Sequence, residues 1–180
     1  MRIISGKYKS RRFDVPKNFK ARPTTDFAKE NIFNVVGNRM EWEGTSALDL
    51  FAGTGSISFE LISRGCCEVV CVENDAVHNA FIKKVKDELK IPQPLILRTD
   101  ALKYIASTDR TFDFIFADPP YALKELPQIP ECILSRSLLN PNGIFVMEHP
   151  KDYDFSRLPG FLQRRVYGAV NFSIFIREDE

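Results

Sequence analysis

Residues 46–74 read SALDLFAGTGSISFELISRGCCEVVCVEN, and this stretch decides the fold. Its apolar start, Ser46–Phe51, is bounded by glycine and is too short for a helix, so it reads as a buried strand. Gly53 and Gly55 permit a tight turn, because glycine reaches backbone conformations that a Cβ forbids. "SISFELISRG" then reads as a helix closed by Gly65, and "EVVCVEN" as a second strand. Strand, glycine turn, helix and strand together make one βαβ unit, and that unit implies parallel pairing.

The alternation continues downstream. "DAVHNAFIKKVKDELK" (75–90) is an amphipathic helix, "PLILRT" (94–99) a strand and "ALKYIAS" (101–107) a short helix. "FDFIFA" (112–117) is a fourth strand, 125–139 reads as a helix, and "GIFVMEH" (143–149) is a fifth strand. Upstream, "RPTTDFAKENIFNVVG" (22–37) carries a Thr-Thr-Asp helix start, an apolar stripe of Phe27, Ile32, Phe33 and Val36, and a terminal glycine. The closing "QRRVYGAVNFSIFIRE" (163–178) is two β-rich runs about Gly168, with no room for a crossover helix, so it predicts an antiparallel hairpin. The expectation is an α/β protein with a Rossmann-like, mostly parallel sheet, a C-terminal antiparallel hairpin and one reversed edge strand. No repeat, low-complexity segment or linker interrupts residues 1–180. A single domain is expected: a basic arm (1–22), an N-terminal helix region (23–40) and the core (45–180).

Composition narrows the class. At 44% apolar and 27% charged residues, the chain is ordinary globular material. No apolar run matches a bilayer's thickness, and "MRIISGKYKSRRF" lacks the apolar core of a signal peptide. Cys66, Cys67, Cys71 and Cys132 follow neither a metal-binding nor a disulfide spacing. Reduced packing cysteines, no metal, no membrane, a monomer and a cytoplasmic location are expected. The net charge of +1 conceals an asymmetry: residues 1–22 carry eight basic side chains and one acid, whereas the remainder is net acidic. Arg2, Lys7, Lys9, Arg11, Arg12 and Arg22 alternate with Ile3, Ile4, Tyr8, Phe13, Val15 and Phe19. That pattern suits a folded basic arm meeting phosphates, which makes nucleic acid the leading partner.

Ligands of such sheets bind beyond the carboxyl ends of the strands. Gly53 and Gly55 end the first strand, and Glu73 ends the second, where a carboxylate can accept both hydroxyls of a ribose. The third glycine of the dinucleotide pattern is absent, with Ser58 in its place, and Asp49 sits within the strand. Asp49 is placed either to hold the glycine loop or to receive a cationic group. Asp100 follows the third strand, where its side chain can meet an adenine edge. An adenosine-bearing cofactor without a pyrophosphate cradle follows. Strand four ends in Asp118-Pro119-Pro120-Tyr121. A carboxylate and the Pro119 carbonyl can each accept an N–H from an exocyclic amine, aiming its lone pair and stabilising the charge that develops. Tyr121 offers a face on which an extruded base can stack, and the prolines keep carbonyl and ring in fixed relation.

"LDLFAGTGS", "CVEND" and "FADPPY" resemble the amino-methyltransferase branch of the class I S-adenosylmethionine-dependent enzymes. "RIISGKYKSRRF", "RPTTDFAKENIFN" and "VYGAVNFSIF" narrow the resemblance to the bacterial ribosomal small-subunit methyltransferase D family. It covers nearly the whole chain, with Ser10 standing where that family often has glycine. The resemblance implies methylation of a guanine N2 in 16S rRNA, as free RNA or within a small-subunit particle. It implies that Asp49, Phe51, Ala52, Gly53 and Gly55 surround the methionine portion of S-adenosylmethionine, Glu73 the ribose, and Asp100 and Ala101 the adenine. Thr24 and Thr25, in "RPTT", would cap the site from outside. The residues themselves leave three alternatives: an adenine N6 target, a protein glutamine amide, or a non-catalytic RNA-binding assembly factor.

Overall fold

The βαβ unit of residues 46–74 forms in the computed structural model, which describes residues 1–20 and 22–179. Strand β1 (Ser46–Leu50) leads through the glycine turn into α2 (Ser56–Arg64) and back to β2 (Glu68–Val72), with β1 and β2 parallel. Gly55 adopts φ 75°, and a Cβ there would press against Phe59 and Ile82, so glycine serves both the turn and the packing of α2 and α3. Helix α3 (Ala76–Leu89) follows, capped by Asp75, whose carboxylate accepts from the Val77 and His78 amides. Strand β3 (Leu95–Leu97), α4 (Ala101–Ser107) and β4 (Phe112–Ala117) complete the first half of the sheet.

Before β1, helix α1 (Asp26–Gly37) starts at Thr25, whose hydroxyl accepts from the Ala28 amide. The stripe is corrected at one position. Ile32, Phe33 and Val36 are buried, but Phe27 is 63% exposed and its place facing the core is taken by Lys29, 1% exposed. The arm needs a cation there: Lys29 Nζ donates to the Arg2 carbonyl and Ser56 Oγ and lies 3.4 Å from Glu60.

The helix expected over 125–139 is also shorter. A 3₁₀ turn at 126–128 leads into α5 (Ile129–Ser135), because Pro127 and Pro130 are tolerated only in a first helical turn. Leu138 and Leu139 then pack in the core, and β5 (Leu139–His149) begins at Leu139.

The seven strands lie in the order β3-β2-β1-β4-β5-β7-β6, with β6 (Phe161–Tyr167) and β7 (Val170–Ile176) forming the expected hairpin. The reversed strand is not at the edge. β7 inserts antiparallel beside β5, and β6 becomes the edge. Burial explains the swap. "VNFSIFI" is apolar enough to be covered on both faces, whereas Arg164, Arg165 and Val166 of β6 are exposed. One face of the sheet packs Leu48, Leu50, Ala117, Phe145 and Met147 against α4 and α5; the other packs Ala47, Phe116, Val146 and Phe172 against α1 and α2. Cys66 and Cys71 are buried free thiols as expected, but Cys67 and Cys132 are exposed, so packing accounts for only two of the four.

Candidate active site

The carboxyl ends of β1, β2 and β4 surround a cavity of about 470 Å³. The arm and the start of α1 contribute Lys20, Arg22, Thr24 and Thr25; the β1 loop contributes Asp49, Phe51, Ala52, Gly53 and Thr54. Glu73 and His78 line it from the β2 side, Asp118 to Tyr121 from β4, and Ala169 and Val170 from the hairpin turn.

The loop after β1 is shaped by unusual backbone. Phe51 and Gly53 both have φ 58°, a conformation a non-glycine residue adopts only at a cost. The Gly53 amide donates to Glu73 Oε2 at 2.7 Å, and Oε1 of the same carboxylate accepts from the Asp75 amide at 3.0 Å. Glu73 therefore braces the glycine loop, and a carboxylate with two lone pairs engaged keeps others for a ligand. Asp49 is fully buried and accepts from the Ser58 amide and hydroxyl at 3.0 and 2.7 Å, fastening β1 to α2. Burial raises its pKa to about 7 despite those bonds, so a neighbouring cation would be needed to hold it ionised.

Opposite, Asp118 leaves β4 with its amide donating to the Leu50 carbonyl, and Pro119 is buried while Tyr121 is 45% exposed. Burial, then the charges of Glu148 and Asp49, push the Asp118 pKa well above the usual carboxylate range. The Tyr121 hydroxyl donates to Glu148 Oε1 at 3.1 Å, and Thr24 donates to Oε2 at 3.2 Å. Burial and the adjacent Glu148 raise the Tyr121 phenol as well.

Of the residues expected to hold a cofactor, Gly55, Asp100 and Ala101 do not line the cavity; Gly55 lies against Phe59 and Ile82. Ala101 is buried in the core under α4, and Asp100 caps that helix through the Lys103 amide. Capping satisfies the same carboxylate chemistry that suggested a base contact. Among the arm residues expected to meet RNA, Arg2 is instead paired with Asp26 at 2.9 Å, and Arg22 lines the cavity. Lys7, Lys9, Arg11 and Arg12 are exposed. The arm is folded, as its apolar interleaving implied: Met1 to Phe13 doubles back through bonds of Ile3 with Arg11 and Ser10. Buried Glu60 of α2 accepts from the Ile4 and Ser5 amides and from Arg64. Ser10 sits at φ 70°, keeping the turn that glycine would make without strain.

The sequence reading did not single out Lys20, Thr54, Ala169 or Val170 of the lining, and it also missed two ionisable residues beside the cavity, Glu148 and His78. Glu148 lies in a run that reads simply as a buried strand, yet an acid at the carboxyl end of a strand beside β4 was the signal. His78, stacked on Phe19 with centroids 4.0 Å apart, looked like one more position of an amphipathic helix.

Dinucleotide-binding sheets end in six parallel strands; here a seventh runs backwards between the fifth and sixth, the arrangement of the class I methyltransferases. The molecule is a class I methyltransferase, whose methyl donor is S-adenosylmethionine. The cavity suits that cationic molecule chemically, since Asp49, Glu73 and Asp118 all face it. Comparison with known proteins agrees: the chain belongs to the family described as conserved hypothetical protein 95, whose model matches residues 1–176. It is 30% identical to the ribosomal RNA small subunit methyltransferase D of Haemophilus influenzae, covering 97% of this chain and 93% of that one. The Thermus thermophilus protein TTHA0928 is 27% identical and superposes with a TM-score of 0.84, over 97% and 98% of the two chains. A Thermus thermophilus 16S rRNA N2 G1207 methyltransferase, solved with AdoMet and guanosine, shares the fold at 20% identity and a TM-score of 0.69 over 89% and 45%.

Proposed function

We propose that this methyltransferase modifies the exocyclic N2 amine of a guanine in 16S rRNA, as free RNA or within a small-subunit particle. The observation that carries the reading is the Asp118-Pro119-Pro120-Tyr121 exit facing the glycine loop across one cavity, with a folded basic arm beside it. The names of the relatives supply the ribosomal substrate. S-adenosylmethionine supplies an electrophilic methyl group on a sulfonium.

The chain's own residues do the rest. Asp49, Phe51, Ala52 and Gly53 hold the charged methionine portion and Glu73 the ribose. Asp118 and the Pro119 carbonyl accept the two N–H groups of the amine, which turns its lone pair outward and stabilises the positive charge that grows on nitrogen. Pro120 keeps the turn rigid, and the exposed Tyr121 ring takes the extruded base on its face. Thr24 and Thr25 close the cavity from the helix side. The exposed Lys7, Lys9, Arg11 and Arg12, with Arg22 at the rim, meet phosphates, while Arg2 fastens the arm to α1. The catalytic chain acts as a monomer in the cytoplasm, and neither a metal nor a covalent intermediate enters the scheme.

The test is incubation with labelled S-adenosylmethionine and small-subunit particles lacking modifications, followed by nucleoside analysis. Labelled N2-methylguanosine is the expected product. Label in N6-methyladenosine, or in protein glutamine, would replace the target, and cofactor binding with no transfer to any substrate would make the chain an assembly factor.

A further inference from the structure

Asp118 and Glu148 occupy adjacent parallel strands. The register pairs Ala117 with Met147, so the next residues, Asp118 and Glu148, stand side by side on one face of the sheet. Glu148 is 7% exposed and lies behind the cavity wall, yet both its oxygens are engaged by hydroxyls of residues that line the cavity, Tyr121 and Thr24. It is thereby linked to the strand exit, the aromatic platform and the capping segment. The other ionisable groups facing the pair are Asp49 from β1, Tyr121 on the exit loop and Arg22 from the end of the arm.

We infer that Asp118 and Glu148 work as a carboxyl pair holding one proton, in which Glu148 takes the proton that Asp118 must give up to accept the substrate amine. The inference rests on the reading of Asp118 as the amine acceptor. Glu148 is buried and Asp118 is half-buried at the cavity wall, and two carboxyls so close together resist ionising together, so the pair keeps one proton and one negative charge. Without substrate, the Tyr121 and Thr24 hydroxyls donate to Glu148 and favour its ionised form, which leaves the proton on Asp118. When an amine N–H donates to Asp118, the Asp118 O–H bond breaks and a Glu148 O–H bond forms. The pair's charge is unchanged, and because protonated Glu148 carries a single O–H, at most one of the two hydroxyls turns to accept it while the other goes on donating. Glu148 is a positioning residue: it touches no substrate, but it sets when Asp118 is an acceptor.

The test compares the parent with Glu148→Gln, which keeps size and an acceptor, and Glu148→Asp, which keeps the charge. Single-turnover methylation is followed against pH, and the carbonyl band of protonated carboxylic acid is followed in the infrared spectrum of the same proteins without substrate. In Glu148→Gln the pH at which the last protonated-carboxyl band is lost should fall by about one unit or more, because Asp118 loses its charged neighbour. The acid limb of the rate, set in the parent by uptake of a second proton by the pair and in the variant by protonation of Asp118 itself, should instead move to higher pH. Glu148→Asp should titrate near the parent, whereas a purely structural role would disturb both variants alike. Cofactor affinity, read by calorimetry, should stay within about twofold in each. An infrared titration unchanged in Glu148→Gln overturns the pair whatever the rates. A parent that methylates no RNA overturns the functional reading instead, and the infrared titration still decides whether the two carboxyls share a proton.

Discussion

Asp118 and Asp49 show how one side-chain type does two jobs through its surroundings. Asp118 ends a strand at the cavity, and its proposed work is charge stabilisation in the transition state. Asp118→Ala should leave cofactor affinity nearly intact but lower the single-turnover rate by roughly 10²–10³, the usual loss for one such group. Asp118→Asn keeps an acceptor and should lose less; a fully active alanine variant would take Asp118 out of the mechanism. Asp49 is a structural fastener whose folded pKa is raised to about 7. The folded protein therefore holds that proton more tightly than the unfolded chain. The resulting stability is greatest below the ordinary aspartate pKa of about 4 and is lost as pH rises toward 7. Asp49→Asn, which can still accept from Ser58, should flatten the melting temperature across that window in cofactor-free protein. Thermal melts at several pH values check this, and an unchanged slope would mean Asp49 is ionised in the folded protein.

Among the elements, the arm is distinctive. Its backbone is bound to α2 through Glu60 and Ser63, and Gly6 lies so close to the Ser63 carbonyl that no Cβ could fit. Such docking holds the exposed basic side chains in a fixed array. Replacing Lys9, Arg11 and Arg12 together by alanine should lower the slope of log affinity for rRNA against log salt by about 1 to 3 units, according to how many reach phosphates. Filter binding at several salt concentrations measures it, and an unaltered slope would make these three bystanders. The docking itself depends on the buried Lys29–Glu60 pair. Breaking a buried pair from one side typically costs about 3–5 kcal/mol when the remaining charge is left without a partner, but Glu60 keeps Arg64 and the Ile4 and Ser5 amides. Lys29→Ala should therefore cost less than that, about 1.5–3 kcal/mol for the lost charged hydrogen bonds, in denaturant melts, and increase amide exchange at Ile4 and Ser5. A loss below about 1 kcal/mol would show that Arg64 alone satisfies Glu60.

At the scale of the whole molecule, three strand ends meet under a cap drawn from the arm and α1, so the cavity belongs to no single element. A cofactor bound there stabilises only the folded chain, by about 2.7 kcal/mol when present at 100 times its dissociation constant. Glu73 both braces the glycine loop and faces the cavity. Glu73→Ala should weaken S-adenosylmethionine binding by about 1.5–3 kcal/mol, the scale of hydrogen bonds to a charged group, and should shrink the thermal shift accordingly. Calorimetry beside thermal melts separates lost binding from lost stability. Unchanged affinity in a folded variant would move the ribose elsewhere.

The strands, most helices, the glycine turn, Glu73 and the Asp-Pro-Pro-Tyr exit were legible in the sequence because each is encoded locally. Strand periodicity, positive φ at Gly53 and Gly55, and a proline pair that cannot pair in a sheet all act over a few residues. Only the tertiary structure decided that β7 lies inside β6, since strand order follows from which surface is buried deepest. It likewise put Lys29 rather than Phe27 inside, because the arm's carbonyls and Glu60 come from distant chain and require a cation there. Glu148 is the clearest case. In the sequence it is one acid in an apolar run; its meaning arises from a β4–β5 register that sets it beside Asp118, 30 positions earlier, where desolvation makes two carboxyls interact.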